Sequence, residues 1–89
     1  MPYIKNGERP ELDKHLQPLI DYLKAQKVED VDGKINYAVT RIMINVYPPR
    51  YFNYNRGIGV LECIKQEFYR HMVGPYEEKK TAENGDVTH

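Results

Sequence analysis

The proline pair Pro48-Pro49 divides this sequence and constrains its fold more than any other feature. The residue before a proline is displaced from the α region, so any helix in the preceding segment ends before the pair. A long helix is predicted after the pair, over about residues 53–73. Its apolar positions recur at the helical period and predict a stripe that packs in a core; they are Ile58, Leu61, Ile64, Phe68 and Met72.

The segment before the pair, about residues 33–47, fits two regular structures. Ile35, Val39, Ile42 and Val46 have helical spacing, whereas Ile35, Tyr37, Val39, Arg41 and Met43 alternate as in a strand. We favour a helix, because an isolated strand would have no partner elsewhere in the sequence and an unpaired edge is unfavourable. Asp32 is the predicted N-cap of this helix.

Prolines and glycines predict the remaining boundaries. An interior proline breaks or kinks a helix, so Pro18 is expected to separate a short helix near 10–15 from a main helix at about 18–26. Gly74 is expected to close the long helix in a left-handed conformation, and Pro75 to open a short helix over about 75–83. The prediction is therefore an all-α fold, one domain over residues 1–89, with three main helices in a small bundle.

Chain length, net charge and cysteine count limit which partners and which cellular location are expected. A chain of 89 residues is marginal as a single folded domain, so a homo-oligomer is expected. Thirteen basic and thirteen acidic residues give no net charge, which argues against duplex DNA as a partner. The single cysteine excludes a disulfide within the chain, and no apolar run reaches the roughly 18 residues of a membrane span. We expect a cytoplasmic protein that does not contact membranes.

Tyrosine and arginine are concentrated in the segment from Tyr47 to Tyr76. This segment contains five of the eight tyrosines of the chain. A tyrosine ring can stack on a base, and an arginine fork matches phosphate. The start of the long helix, with its free N–H groups, would add an anion site. The predicted ligand-binding residues are Arg50, Tyr51, Tyr54, Asn55 and Arg56, with Arg41, Lys65 and Arg70 as further candidates. The alternative is that the same residues form an interface.

An enzyme or metal protein that uses Glu62, Glu67 and His71 is a third, weaker alternative. Glu67 and His71 have the spacing of two ligands on one helix, but no second pair completes a metal site. Cys63 is expected to be a small buried hydrophobic residue, and His71 is two turns away from it. Arg41 is expected to pair with Glu62 or Glu67 if it binds no anion. The protein is therefore predicted to be non-enzymatic and to need no cofactor.

Several segments together resemble a known family. They are MPYIK at the start, INYAVTR at 35–41, NRGIGVLECIKQEFYRHMVGPYEEKK at 55–80 and ENGDV at 83–87. They resemble a family of short proteins of unknown function from bacteria, archaea and their phages. His71 departs from the family pattern, which more often has a second arginine there, and this weakens a paired-arginine cluster. The resemblance implies a compact helical fold and a connection to phages.

That connection suggests an analogy with small phage proteins that sequester the nucleotide signals of bacterial immunity. The leading hypothesis is a non-enzymatic protein that sequesters a small anionic, nucleotide-like ligand as an anti-defence sponge, working in the host cytoplasm if phage-encoded. The alternative is a protein–protein interaction module whose tyrosine and arginine surface contacts another copy or a partner.

Overall fold

A computed structural model describes residues 4–85 and 87, and these are mainly helical. The α-helices are α1 (Arg9–Lys24), α2 (Val28–Val46), α3 (Tyr51–Phe68) and α4 (Gly74–Asn84). A 3-10 turn at Asn6–Glu8 precedes α1, and a π-helical segment at Tyr69–Val73 joins α3 to α4. The described ranges contain no strand, so the all-α prediction is confirmed, as is the helix favoured for the ambiguous segment.

Helix α1 runs through Pro18, so the predicted separation into helices at 10–15 and 18–26 is wrong. Four leucines, Leu12, Leu16, Leu19 and Leu23, recur at the helical period on both sides of the proline. An interior proline costs roughly 3 kcal/mol, and the packing of α1 against α2 favours the continuous helix despite that cost. Pro10 lies in the first turn of α1, where a missing N–H is tolerated.

Helix α2 begins at Val28, earlier than predicted, and its N-cap is Lys27 in an extended conformation. Asp32 therefore lies within the helix, and the prediction that it caps α2 is wrong. Glu29 and Asp30 in the first turn favour the earlier start, since carboxylates interact well with the positive end of the helix dipole. The helix ends at Val46, before the proline pair, as predicted.

The helices group into two compact units, Met1–Pro48 and Pro49–His89. In the first unit α1 packs against α2. The Lys34 ammonium of α2 donates a hydrogen bond to the Tyr22 hydroxyl of α1 (3.2 Å) and another to Gln26 Oε1. One cation thus ties the end of α1 to α2. The single domain over 1–89 stays a prediction.

In the second unit α3, the π-helical segment and α4 form one uninterrupted run of helical residues. The Gly74 N–H donates to the Tyr69 carbonyl, five residues back, as in a π-helix. Gly74 has φ −56°, so its predicted left-handed conformation is wrong. Pro75 has no N–H to donate to the His71 carbonyl, so one α-helical hydrogen bond is missing at this point. The wider π-helical turn accommodates the proline, and the helix continues.

The end of α4 follows the prediction. Gly85 has φ 91° and ψ 149°, and its N–H donates to the Thr81 carbonyl at 2.8 Å. Among the described residues, Gly85 is the only one with a positive φ. The conformation is one that glycine adopts and other residues avoid, so Asn84-Gly85 ends the helix.

The helices expose their apolar side chains. No hydrophobic side chain of the described residues is buried, and the one buried residue among them, Gly57, has no side chain. The predicted core stripe of α3 is largely exposed, with Ile58 at 66% and Phe68 at 65%. The prediction that this stripe is buried is wrong. Helix α4 continues α3 in one helical run, so this unit has no second helix that packs against the stripe. Across the described residues, no helix combines the length and apolar character that crossing a membrane requires.

Candidate functional site

Five of the predicted ligand-binding residues lie at the start of α3. Arg50 is the N-cap residue, with φ −142° and ψ 148°, and its side chain makes no capping hydrogen bond. Tyr51, Tyr54 and Asn55 follow in the first two turns, three or four residues apart, and therefore share a face of the helix. The open N–H groups of the first turn and two exposed phenol rings thus lie at one end of α3.

Arg56 belongs to a different face of α3. It lies two residues beyond Tyr54, which is about 200° around a helix. Its Nη1 donates to Asn53 Oδ1 at 3.3 Å, and its guanidinium carbon lies 5.8 Å from the centre of the Phe52 ring. The structure therefore does not bring Arg56 together with Tyr54, contrary to the predicted cluster.

Lys65 and Arg70 are also separate from the start of α3. They lie roughly 14 and 21 Å from Arg56 along a helix axis, at 1.5 Å per residue. Lys65 Nζ forms an ion pair with Glu62 Oε1 at 3.2 Å. Arg70 pairs with Glu67, whose other oxygen lies 3.1 Å from His71 Nε2. Both cations thus have a carboxylate partner one turn away, and neither joins the predicted site.

Arg41 lies on α2, in the first unit, whereas the other predicted residues lie in the second. Its guanidinium forms no ion pair or hydrogen bond with a described residue. The carboxylates of Glu62 and Glu67 lie in the second unit, where they pair with Lys65 and Arg70. Arg41 therefore remains a cation available to an external anion.

A groove between α1 and α2 is lined in part by Arg41 and has a volume of about 630 Å³. Its walls carry Tyr22 from α1 and Lys34, Tyr37 and Arg41 from α2. The remaining lining residues are Leu19, Leu23, Asp30, Gly33 and Ala38. The groove thus combines an apolar floor with two aromatic rings and two cations, and all of these belong to one unit.

A comparison with protein families covers nearly the whole chain. A model of a family described as a domain of unknown function, DUF6899, matches residues 1–87. The chain belongs to the DUF6899 family. This membership confirms the resemblance to an uncharacterised family. No curated protein and no solved structure matches the chain.

The acidic and histidine residues that the structure describes in this DUF6899 chain do not converge on a metal site. In the part of the chain that the structure describes, no three side chains of His, Cys, Asp or Glu are placed to hold one ion. Glu67 and His71 are adjacent, but Arg70 shares the same carboxylate. Cys63 is exposed, so its predicted burial is wrong: α3 has no packed neighbour on that face within its unit.

Tyr22, Lys34 and Tyr37 of the DUF6899 chain were not predicted as site residues. A signal for two of them exists in α2, where Lys34, Tyr37 and Arg41 follow one another three and four residues apart and so share a face. The groove itself depends on how α1 packs against α2, and sequence periodicity does not reveal that pairing.

Proposed function

We propose that this DUF6899 protein is a non-enzymatic interaction module that assembles with further copies of itself. The exposure of its apolar side chains carries the proposal, since no hydrophobic side chain of the described residues is buried. Small chains usually need oligomerisation, a metal or disulfides when they cannot bury a sufficient core. Cys63 is the only cysteine of the chain, so a disulfide within it cannot supply the missing stability.

The second unit offers the clearest contact surface. Phe68 and Met72 lie one turn apart near the end of α3 and are 65% and 61% exposed. Full burial of a side chain of this size contributes roughly 1.5–3 kcal/mol. Aromatic residues, methionine and arginine are also enriched at protein–protein interfaces. A few such side chains, covered by another chain, would contribute much of the stability that a small domain has.

Charge favours a second copy as the partner. The chain has thirteen basic and thirteen acidic residues, so two copies meet without net electrostatic repulsion. A net charge near zero promotes association, whereas a large net charge keeps proteins apart. A dedicated partner of another kind would more often be selected by opposite net charge.

Concentration-dependent stability tests the proposal. If folding is coupled to assembly, the melting temperature rises with protein concentration. The variant Phe68→Glu should lower that temperature and reduce its concentration dependence, because a charge enters the apolar surface. Gln66→Glu places the same charge on an exposed polar position of α3 and is the matched control. A melting temperature that does not change over a wide dilution series contradicts the proposal.

Sequestration of a nucleotide-like anion is the second candidate function. The exposure of Tyr51 and Tyr54, 80% and 55%, beside the uncapped start of α3 favours it. Each base that stacks on an aromatic ring gains roughly 1–3 kcal/mol. In a phage-encoded chain this would be an anti-defence function in the host cytoplasm.

A panel of cyclic and linear nucleotides tests this second function by thermal shift. A ligand at 100 times its dissociation constant stabilises the native state by about 2.7 kcal/mol. The shift should disappear in Arg50→Gln and Tyr54→Leu, whereas Arg56→Gln, on the other face of α3, should retain it. If no nucleotide shifts the melting temperature, sequestration is rejected and self-assembly is unaffected.

A further inference from the structure

The groove between α1 and α2 has the size of a small-molecule site. Its volume of about 630 Å³ lies within the roughly 300–1,000 Å³ of such sites, which are mainly apolar with a few polar groups. Leu19, Leu23 and Ala38, all half-buried, form the apolar part. All the lining residues come from the first unit, so the groove exists without any contribution from the second.

The polar and aromatic groups are ordered along one face of α2. Asp30, Lys34, Tyr37 and Arg41 lie at successive intervals of four, three and four residues. Arg41 is thus about one turn beyond Tyr37, while Asp30 is roughly 16 Å from Arg41 along the axis. The single carboxylate is therefore at one end of the groove and the unpaired guanidinium at the other.

Lys34 adds a second cation without an acidic partner. Its Nζ donates to the Tyr22 hydroxyl and to Gln26 Oε1, and it lies 5.2 Å from the centre of the Tyr22 ring. These partners are all neutral, and no described carboxylate forms an ion pair with Lys34. With Arg41 also unpaired, the groove carries two positive charges against one negative charge from Asp30.

The aromatic rings are accessible between these charges. Tyr22 is 53% exposed and Tyr37 is 67% exposed. Tyr37 lies between Lys34 and Arg41, so a ring stacked on it would place an attached anion within one helical turn of either cation. Arginine binds phosphate through two parallel N–H donors, and its fork is here unoccupied by any described residue.

We propose that the groove binds a small molecule with a planar aromatic ring and an attached phosphate, the ring on Tyr37 and the phosphate on Arg41. The charge complementarity at the Arg41 end selects the phosphate, and the apolar floor with two tyrosines selects the ring. The proposal is independent of self-assembly. It shares a ligand class with the second candidate function but places the ligand on a different unit from the start of α3.

Calorimetric titration with adenosine monophosphate tests the proposal, with adenosine and inorganic phosphate as controls for the ring and the charge. We expect the nucleotide to bind more tightly than either control. Arg41→Gln should weaken its binding about tenfold or more, as loss of a charged hydrogen bond does. Tyr37→Leu should weaken it about fivefold or more through lost stacking. Arg56→Gln, at an arginine of the second unit that lies in neither proposed site, is the matched control and should bind as the unaltered protein does.

Four outcomes would overturn the assignment. The first is that adenosine binds as tightly as the nucleotide, and the second is that phosphate alone does. The third is binding that is lost in Arg50→Gln and kept in Arg41→Gln, which would place the ligand at the start of α3. The fourth is a lower assembled mass for Arg41→Gln by sedimentation, which would make the groove an interface. Circular dichroism of each variant confirms that the helices remain.

Discussion

The Tyr69 hydroxyl donates a hydrogen bond of 2.9 Å to Glu77 Oε2 and so connects the π-helical segment to α4. Glu77 raises the pKa of Tyr69 above its ordinary value of 10.0, chiefly by accepting this hydrogen bond and also through its negative charge. A group whose pKa is raised on folding contributes stability below its unfolded pKa and loses that contribution as pH rises through the folded pKa. The hydrogen bond is therefore complete at neutral pH, and its contribution to stability is lost as pH rises through the raised pKa of Tyr69.

Glu77→Gln should consequently lower the pKa of Tyr69. Titration of the Tyr69 ζ-carbon by NMR in a selectively labelled protein measures this directly. Glu78→Gln, at the next position along α4, removes the same charge without removing a hydrogen bond to Tyr69 and is the control. Equal Tyr69 pKa values in the unaltered protein and in Glu77→Gln would show that the contact does not persist in solution.

Pro18→Ala should stabilise the protein. Pro18 lies in the interior of α1 and leaves the Lys14 carbonyl without its usual helical donor. Replacement by alanine should raise the free energy of unfolding by about 1–3 kcal/mol, measured by urea denaturation at a fixed protein concentration. Pro10→Ala, in the first turn, should change it little. Destabilisation by Pro18→Ala would mean that a bend at Pro18 is needed for packing.

Two glycines should respond to alanine in opposite directions. A Cβ atom at Gly59 would meet nothing within 4 Å, so Gly59→Ala should stabilise α3 by about 0.5–1 kcal/mol. Gly85 has φ 91°, where other residues are strained, so Gly85→Ala should destabilise the end of α4 by roughly 1–3 kcal/mol. Thermal unfolding of both variants provides the measurement. A lower melting temperature for Gly59→Ala would reveal a close approach to Gly59 that the single chain lacks.

Local chemistry explains which parts of the fold were predictable. The end of α2 before Pro48 and the end of α4 at Gly85 depend on the backbone restrictions of proline and glycine, which the sequence states directly. Pro18 was interpreted wrongly because a packed helix tolerates a proline that an isolated one does not.

The candidate sites were less predictable for a related reason. Arg56 was grouped with Tyr54 because the two are close in sequence. Residues two positions apart in a helix point to nearly opposite sides of it. The groove around Arg41 was missed because it arises from the packing of α1 on α2, which no single segment encodes. Exposure of Phe68 could not be read from its helical spacing, since the same spacing fits a core stripe and an intermolecular surface.

The mass of the protein in solution tests the central claim most directly. Sedimentation equilibrium of the full chain should give a mass at least twice the 10.5 kDa of one copy. The same experiment on Phe68→Glu should give a lower mass, whereas Gln66→Glu should match the unaltered protein. A cooperatively folded species of 10.5 kDa at all concentrations would contradict assembly through the exposed apolar side chains.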